Sequence, residues 1–124
     1  MPSEAVFEIK EKYLLVNIQG EAFPPEMILE TMKETVKRSV DNDLKKAMIC
    51  RSQVKRQKAS TMDFFKFGEY LVSLNLYEFK FALVFPKAMH DDKIGFFETV
   101  TVNRGLRIKL FSDYDLAEEW LLAE

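Results

Sequence analysis

Short runs of alternating apolar and polar residues predict that the chain begins with two strands, at residues 6–9 and 13–18. In the second run Leu14, Val16 and Ile18 fall two residues apart, so they share one face of a strand. The charged residues 10–12 lie between the runs and predict a turn that joins them into a hairpin.

The next segment has the spacing of an amphipathic helix. Pro24 and Pro25 open it, where proline is tolerated because the first-turn amides have no helical partner. Apolar residues then recur at spacings of three and four, which predicts one buried stripe made of Ile28, Leu29, Met32, Val36 and Val40.

Strands and helices alternate in the middle of the chain. Residues 47–50 predict a short buried strand, and a basic polar loop follows at residues 51–58. A second helix starts at Ser60 with Asp63 three residues later, the pattern of a capping box, and continues to Leu74. Residues 79–85 are nearly all apolar, as in a strand buried on both faces of a parallel sheet.

The last third predicts a helix, an edge strand and a final helix. The third helix spans residues 88–103 and ends at Gly105, a residue suited to a helix C-terminus. Residues 107–111 alternate and predict an edge strand. Ser112 is predicted to cap the last helix, whose core-facing residues are Leu116, Trp120 and Leu121.

The resulting order, ββαβαβαβα, places the chain in the α/β class. Strands alternating with helices imply right-handed crossovers and a mostly parallel sheet, and the opening hairpin makes that sheet mixed. The 124 residues have the size of one domain. We therefore predict a single domain, residues 1–124, with a sheet of about five strands and four helices.

Composition narrows the range of functions. A net charge of −2 argues against nucleic acid as a partner, because duplex binding depends on positive surface. Cys50 is the only cysteine of the chain, so an intrachain disulfide is impossible. Without a signal-peptide block or an apolar run of about 20 residues, a cytoplasmic protein is expected.

Two stretches carry a family resemblance. The C-terminal region contains Asn103-Arg104-Gly105, Phe111 and the acidic segment 117–121 closed by Trp-Leu, and residues 63–70 read DFFKFGEY. Together with the order of elements, these stretches resemble the STAS-like family of bacterial anti-sigma-factor antagonists. The resemblance implies an STAS-like fold and a non-enzymatic regulatory module that binds a protein partner. CRAL-TRIO lipid carriers have a related fold.

The resemblance also directs attention to the start of the second helix. STAS antagonists that are switched by phosphorylation have an Asp-Ser pair followed by Ser or Thr and Gly at this position. Here the residues are Ala59-Ser60-Thr61-Met62, so the hydroxyl pair is kept, whereas the acid and the glycine are absent. Ser60 and Thr61 are candidates for phosphorylation or anion binding, since a helix N-terminus favours negative charge. The alternative is that Ser60 is simply an N-cap.

A basic loop followed by aromatic residues suggests a surface for a protein partner or an anionic membrane. Its candidate residues are Arg51, Lys55, Arg56, Lys58 and Phe65. The alternative is a solvated loop beside a helix with a wide buried face. We take the region 51–70 as the predicted partner surface, and a homodimer stays open.

The 11 phenylalanines suggest a second function, a carrier or sensor of a small apolar or lipid ligand with peripheral membrane association. The candidate pocket residues are Phe64, Phe67, Gly68, Phe96 and Phe97. The alternative is that these residues fill the core.

Catalytic and metal chemistry have little support in the sequence. His90, Asp91 and Asp92 are adjacent and rarely converge on one ion, and the chain has no second histidine for a zinc site. Cys50 fits a small buried residue better than a reactive thiol. No cofactor is expected, and a small enzyme is the least favoured class.

Overall fold

The computed structural model describes residues 4–19, 22–23, 25–51, 56–57, 60–86 and 92–123. Seven strands and four helices lie within these ranges, in the order β1 (Glu4–Ile9), β2 (Leu14–Gln19), β3 (Ala22–Phe23), α1 (Pro25–Asp41), β4 (Lys46–Cys50), β5 (Arg56–Gln57), α2 (Thr61–Ser73), β6 (Lys80–Val84), α3 (Asp92–Asn103), β7 (Arg107–Phe111) and α4 (Tyr114–Leu122).

In the described part of the chain, five strands form one mixed sheet in the order β1-β2-β4-β6-β7. The hairpin pairs β1 with β2 antiparallel, and the other neighbours are parallel. The predicted fold class and the order ββαβαβαβα are therefore confirmed for the main sheet. A second pairing, β3 with β5, was not predicted because two-residue strands have no readable period.

The two faces of the sheet are covered unequally. Helices α1, α2 and α3 cover the larger core, in which Leu14, Phe81 and Leu83 are buried among the helix side chains. The single helix α4 covers the other face, where Met48 and Ala82 pack against it. Residues that alternate along each strand thus separate into two cores.

Three predictions about the helices need correction. Val40 is 59% exposed, and α1 instead buries Ile28, Thr35 and Ser39. The hydroxyl of Thr35 donates to the carbonyl oxygen of Thr31 at 2.7 Å, which satisfies its polar group inside the core. The helical stripe therefore runs through two small polar residues that a purely apolar criterion passes over.

The end of the chain holds the other two corrections. Asp113, and not Ser112, caps α4, because its carboxylate accepts hydrogen bonds from the backbone N–H groups of Asp115 and Leu116. Leu116 is 56% exposed, while Leu121 is buried and Trp120 half-buried. The third helix is described from Asp92, and residues 88–91 of the prediction lie outside the described residues.

Candidate functional site

Helix α2 starts beside the ends of the parallel strands and carries the predicted site. Ser60 is its N-cap in an extended conformation, with φ −85° and ψ 171°. The Ser60 Oγ accepts from the Asp63 backbone N–H at 3.1 Å, and the Ser60 backbone N–H donates to Asp63 Oδ2 at 2.8 Å. The predicted capping box is therefore present, and it satisfies two backbone groups of the helix start.

The capping box bears on the anion site proposed at Ser60 and Thr61. The hydrogen bond from the Ser60 backbone N–H lowers the pKa of Asp63, so its carboxylate is ionised at neutral pH. This carboxylate uses one of the amides that an anion would need and repels a second negative charge. Both hydroxyl-bearing residues are exposed. Their geometry is that of a cap, and an anion at this helix end would compete with Asp63.

Exposed apolar side chains follow directly in the first turns of α2. Met62 is 61% and Phe65 is 37% exposed. The Phe65 ring stacks on the half-buried ring of Phe96 in α3, with centroids 6.5 Å apart and planes at 29°. We call Met62, Phe65 and Phe96 the apolar patch. Sequence analysis singled out Phe65 and Phe96 and missed Met62, although its spacing of three from Phe65 places it on the same side of the helix.

The remaining aromatic candidates lie in the core. Phe64, Phe67 and Phe97 are buried and make edge-on contacts, with ring centroids 5.5 Å apart for Phe64 and Phe67 and 6.0 Å for Phe64 and Phe97. Gly68 is buried where α2 meets α3, and a Cβ there would lie 3.5 Å from the side chains of Val100 and Thr101. That is an ordinary packing distance, so the site does not require glycine.

Arg51 is not a surface residue, which corrects the prediction. Its backbone N–H donates to the Val84 carbonyl at 2.9 Å, so Arg51 extends the pairing of β4 with β6. The side chain lies among core residues, 3% exposed, with its guanidinium 5.3 Å from the centre of the Phe85 ring. Burial lowers the pKa of Arg51 to about 10. The side chains of Lys55, Arg56 and Lys58 lie outside the described residues.

A small cavity of about 60 Å³ lies between α1, the sheet and helices α2 and α3. Its lining is almost wholly apolar and includes Phe64 and Phe97 from the predicted pocket, together with Arg51. Ligand sites for drug-sized molecules run from roughly 300 to 1,000 Å³. The cavity therefore holds no lipid-sized ligand in this conformation.

In the described ranges no group of three or more His, Cys, Asp or Glu residues has the arrangement to hold a metal ion. His90 and Asp91 lie outside these ranges. No described helix combines the length and the apolar character needed to cross a membrane.

Comparisons with known proteins address the fold. No known protein-family model and no curated protein sequence matches the chain. Among solved structures, the chain is similar to the crystal structure of an anti-sigma factor antagonist from Mycobacterium paratuberculosis, at 13% sequence identity and a TM-score of 0.65. The match covers 98% of this chain and 96% of that one. The chain therefore has the STAS-like α/β fold of an anti-sigma factor antagonist, as the two resembling stretches implied.

Proposed function

We propose that the protein is a non-enzymatic regulatory module that binds a protein partner through the start of α2. The observation that carries this proposal is the apolar patch. Aromatic residues and methionine are enriched in protein interfaces, and here exposed Met62 lies one helical turn before exposed Phe65, whose ring stacks on the half-buried ring of Phe96. The fold shared with an anti-sigma factor antagonist supports a regulatory role.

The surroundings of the patch favour a partner with some acidic character. Lys66 is exposed in the same helix, and Lys55, Arg56 and Lys58 precede the helix in the sequence. An interface of this kind has an apolar centre and a charged rim, in which the rim mainly affects the association rate and specificity. Phosphorylation of Ser60 or Thr61 would add negative charge beside Asp63 and would weaken binding to an acidic partner.

The test compares variants of the patch with a matched control. The double variant Met62→Ser and Phe65→Ser removes the two most exposed members of the patch. Val40→Ser removes an equally exposed apolar residue at the far end of α1. Each tagged variant is used to capture proteins from a lysate of the organism that encodes the chain, and the captured proteins are quantified by mass spectrometry.

We expect a partner that wild type and Val40→Ser retain equally, and that the patch variant retains on the order of tenfold less, equivalent to ~1.4 kcal/mol. The triple alanine variant of Lys55, Arg56 and Lys58 should bind the same partner more weakly, and its binding should be less sensitive to salt. Equal capture of every protein by the wild type and the patch variant would exclude this surface.

A second function, carriage of a small apolar ligand, has the cavity under α1 as its only structural support among the described residues. Because the cavity is small, a lipid would bind only if α1 moved away from the sheet. Native mass spectrometry of protein purified without detergent tests this directly. A bound lipid-sized mass would support the carrier function, and a clean apo spectrum together with no binding to anionic liposomes would reject it.

A further inference from the structure

Three basic residues lie side by side at the beginnings of neighbouring parallel strands. Lys46 of β4 is in register with Lys80 of β6, and Lys80 is in register with Arg107 of β7. Adjacent strands are about 4.8 Å apart, and like charges directly opposite each other destabilise a sheet. We call these three residues the basic row. It lies on the α4 face, at the end of the sheet opposite to the start of α2.

Lys80, the central member of the row, is buried and hydrogen-bonded to the backbone of α4. Lys80 Nζ donates to the carbonyl oxygens of Trp120 at 2.6 Å and of Ala123 at 2.8 Å. These oxygens belong to the C-terminal end of α4, where a cation complements the helix dipole. Burial, followed by the charges of Lys46 and Arg107, lowers the pKa of Lys80. The two outer members of the row remain accessible to a ligand, since Lys46 is half-buried and Arg107 exposed.

An open groove of about 600 Å³ adjoins the row, between α3, β7 and α4. Its positive charge comes from Lys80, Arg107 and Lys109. Apolar side chains form another part of the lining, among them Val102 and Trp120. The groove therefore combines cations with apolar contact area.

The groove also contains one carboxylate whose position limits how a ligand binds. Glu98 Oε2 accepts the backbone N–H of Leu110 at 2.6 Å. This hydrogen bond occupies one backbone donor on the outer edge of β7 and so disfavours addition of a ligand there as a further strand. Recognition in the groove would therefore depend on side chains.

Five basic residues elsewhere in the described part of the chain pair with a carboxylate, whereas Lys12, Lys37 and Lys66 form no such pair there. Lys45 pairs with Glu78 at 2.8 Å, and Arg104 pairs with Glu69 at 3.0 Å. Within the described ranges, neither the basic row nor Lys109 forms a salt bridge with a carboxylate, although these cations lie close together. Arg107 donates instead to the backbone carbonyl of Glu78. The groove thus holds positive charge that a negatively charged ligand would neutralise.

We propose that this groove binds an acidic segment of a partner protein in which carboxylates are interspersed with apolar side chains. The carboxylates pair with Arg107 and Lys109, and the apolar side chains pack on Trp120 and Val102. Charge complementarity is the basis for this occupant, and the apolar lining distinguishes it from a free inorganic anion. The groove and the apolar patch lie at opposite ends of the sheet, so this inference does not depend on the proposed function.

The experiment uses the single tryptophan of the chain as a reporter. Because Trp120 lines the groove, its fluorescence should respond to a ligand there. The full chain is titrated with a Trp-free peptide that alternates Glu-Glu-Leu, and separately with an all-Glu peptide and with tripolyphosphate. We expect a saturable change with the Leu-containing peptide at low salt, weaker binding of the all-Glu peptide, and loss of binding as salt rises.

Two double variants with the same change in net charge provide the control. Arg107→Glu with Lys109→Glu reverses the exposed charge of the groove, and Lys33→Glu with Lys37→Glu does the same on the solvent side of α1. The groove variant should bind the peptide on the order of tenfold more weakly than the α1 variant, a difference of ~1.4 kcal/mol. Circular dichroism checks that both double variants fold. If the groove variant does not fold, the single variant Lys109→Gln replaces it.

Three results would overturn the proposal. One is the absence of a Trp120 fluorescence change with any peptide. Another is equal weakening in both double variants, which would mean that binding follows only the overall charge. The third is binding of tripolyphosphate as tight as that of the Leu-containing peptide, which would make the groove a simple anion site.

Discussion

At Gly105 the backbone has φ +93°, a conformation that residues with a side chain rarely adopt. A Cβ at this position would also lie 3.3 Å from two ring atoms of Tyr77. Gly95, within α3, has no atom within 4 Å of an added Cβ. A Cβ added at Gly105 would therefore be strained and crowded, whereas a Cβ added at Gly95 would meet open space.

We predict opposite effects of the two alanine substitutions. Gly105→Ala should lower the free energy of unfolding by about 1–2 kcal/mol, because alanine is strained at positive φ. Gly95→Ala should raise it by ~0.5–1 kcal/mol, because glycine weakens a helix interior. Urea unfolding followed by circular dichroism measures both values, and changes of the same sign would contradict the described turn.

The N-caps of α2 and α4 differ in how well the sequence predicts them. Ser60 was predicted as the cap of α2 and is confirmed, because it is followed by Asp63 at the spacing of a capping box. At α4 two neighbouring residues, Ser112 and Asp113, are both good caps. The path of the chain leaving β7 decides between them, and that path is a tertiary property.

At the scale of elements, α4 alone covers one face of the sheet, and specific side chains hold it there. Tyr13 donates its hydroxyl hydrogen to Glu118 Oε2 at 2.6 Å, and its oxygen lies 2.7 Å from the Tyr114 hydroxyl oxygen. Burial and the hydrogen bond to Glu118 raise the pKa of Tyr13. Together with Lys80 at the C-terminal end, these bonds attach both ends of the helix to the sheet.

Two leucines of α4 test this arrangement. Leu121→Ala removes a fully buried side chain and should lower the free energy of unfolding by about 2–5 kcal/mol. Leu116→Ala removes an exposed side chain and should change it by less than ~0.5 kcal/mol. Thermal and urea unfolding of the two variants give the comparison. Similar losses for both would mean that α4 packs on a different face.

At the scale of the whole molecule, the accessibility of the Cys50 thiol indicates whether the domain is folded. It lies in β4, the middle strand of the main sheet, and its thiol is buried under α4. Burial raises the pKa of the thiol to about 11. Opening this site requires the sheet and α4 to separate, so its exposure should approach global unfolding.

We predict that Cys50 of the folded protein reacts with a thiol reagent at a rate limited by unfolding, and that urea accelerates the reaction. The folded state favours the protonated thiol, since its pKa exceeds the unfolded value of about 8.5. The contribution of this thiol to the free energy of unfolding is therefore complete below about pH 8.5 and is lost as the pH rises toward 11. Immediate labelling of native protein at pH 7 would contradict the burial.

The sequence alone determined the order of the elements, the strands buried on both faces and the cap of α2. These features depend on the spacing of apolar residues and on contacts between residues three or four positions apart. All of this information lies within a single helix or strand. The prediction of Arg51 as a surface residue was wrong for the opposite reason. Its burial follows from pairing with Val84, more than thirty residues later, and a local pattern carries no trace of that contact.

Tertiary structure alone decided the features that bear most on function. The order of the strands brought Lys46, Lys80 and Arg107 into one row, although they come from three separate segments. The packing of α2 on α3 left Phe65 exposed and buried Phe64 beside it. Strand register and helix packing are set by contacts between distant residues, which is why the sequence predicts the elements and only the fold defines the surfaces.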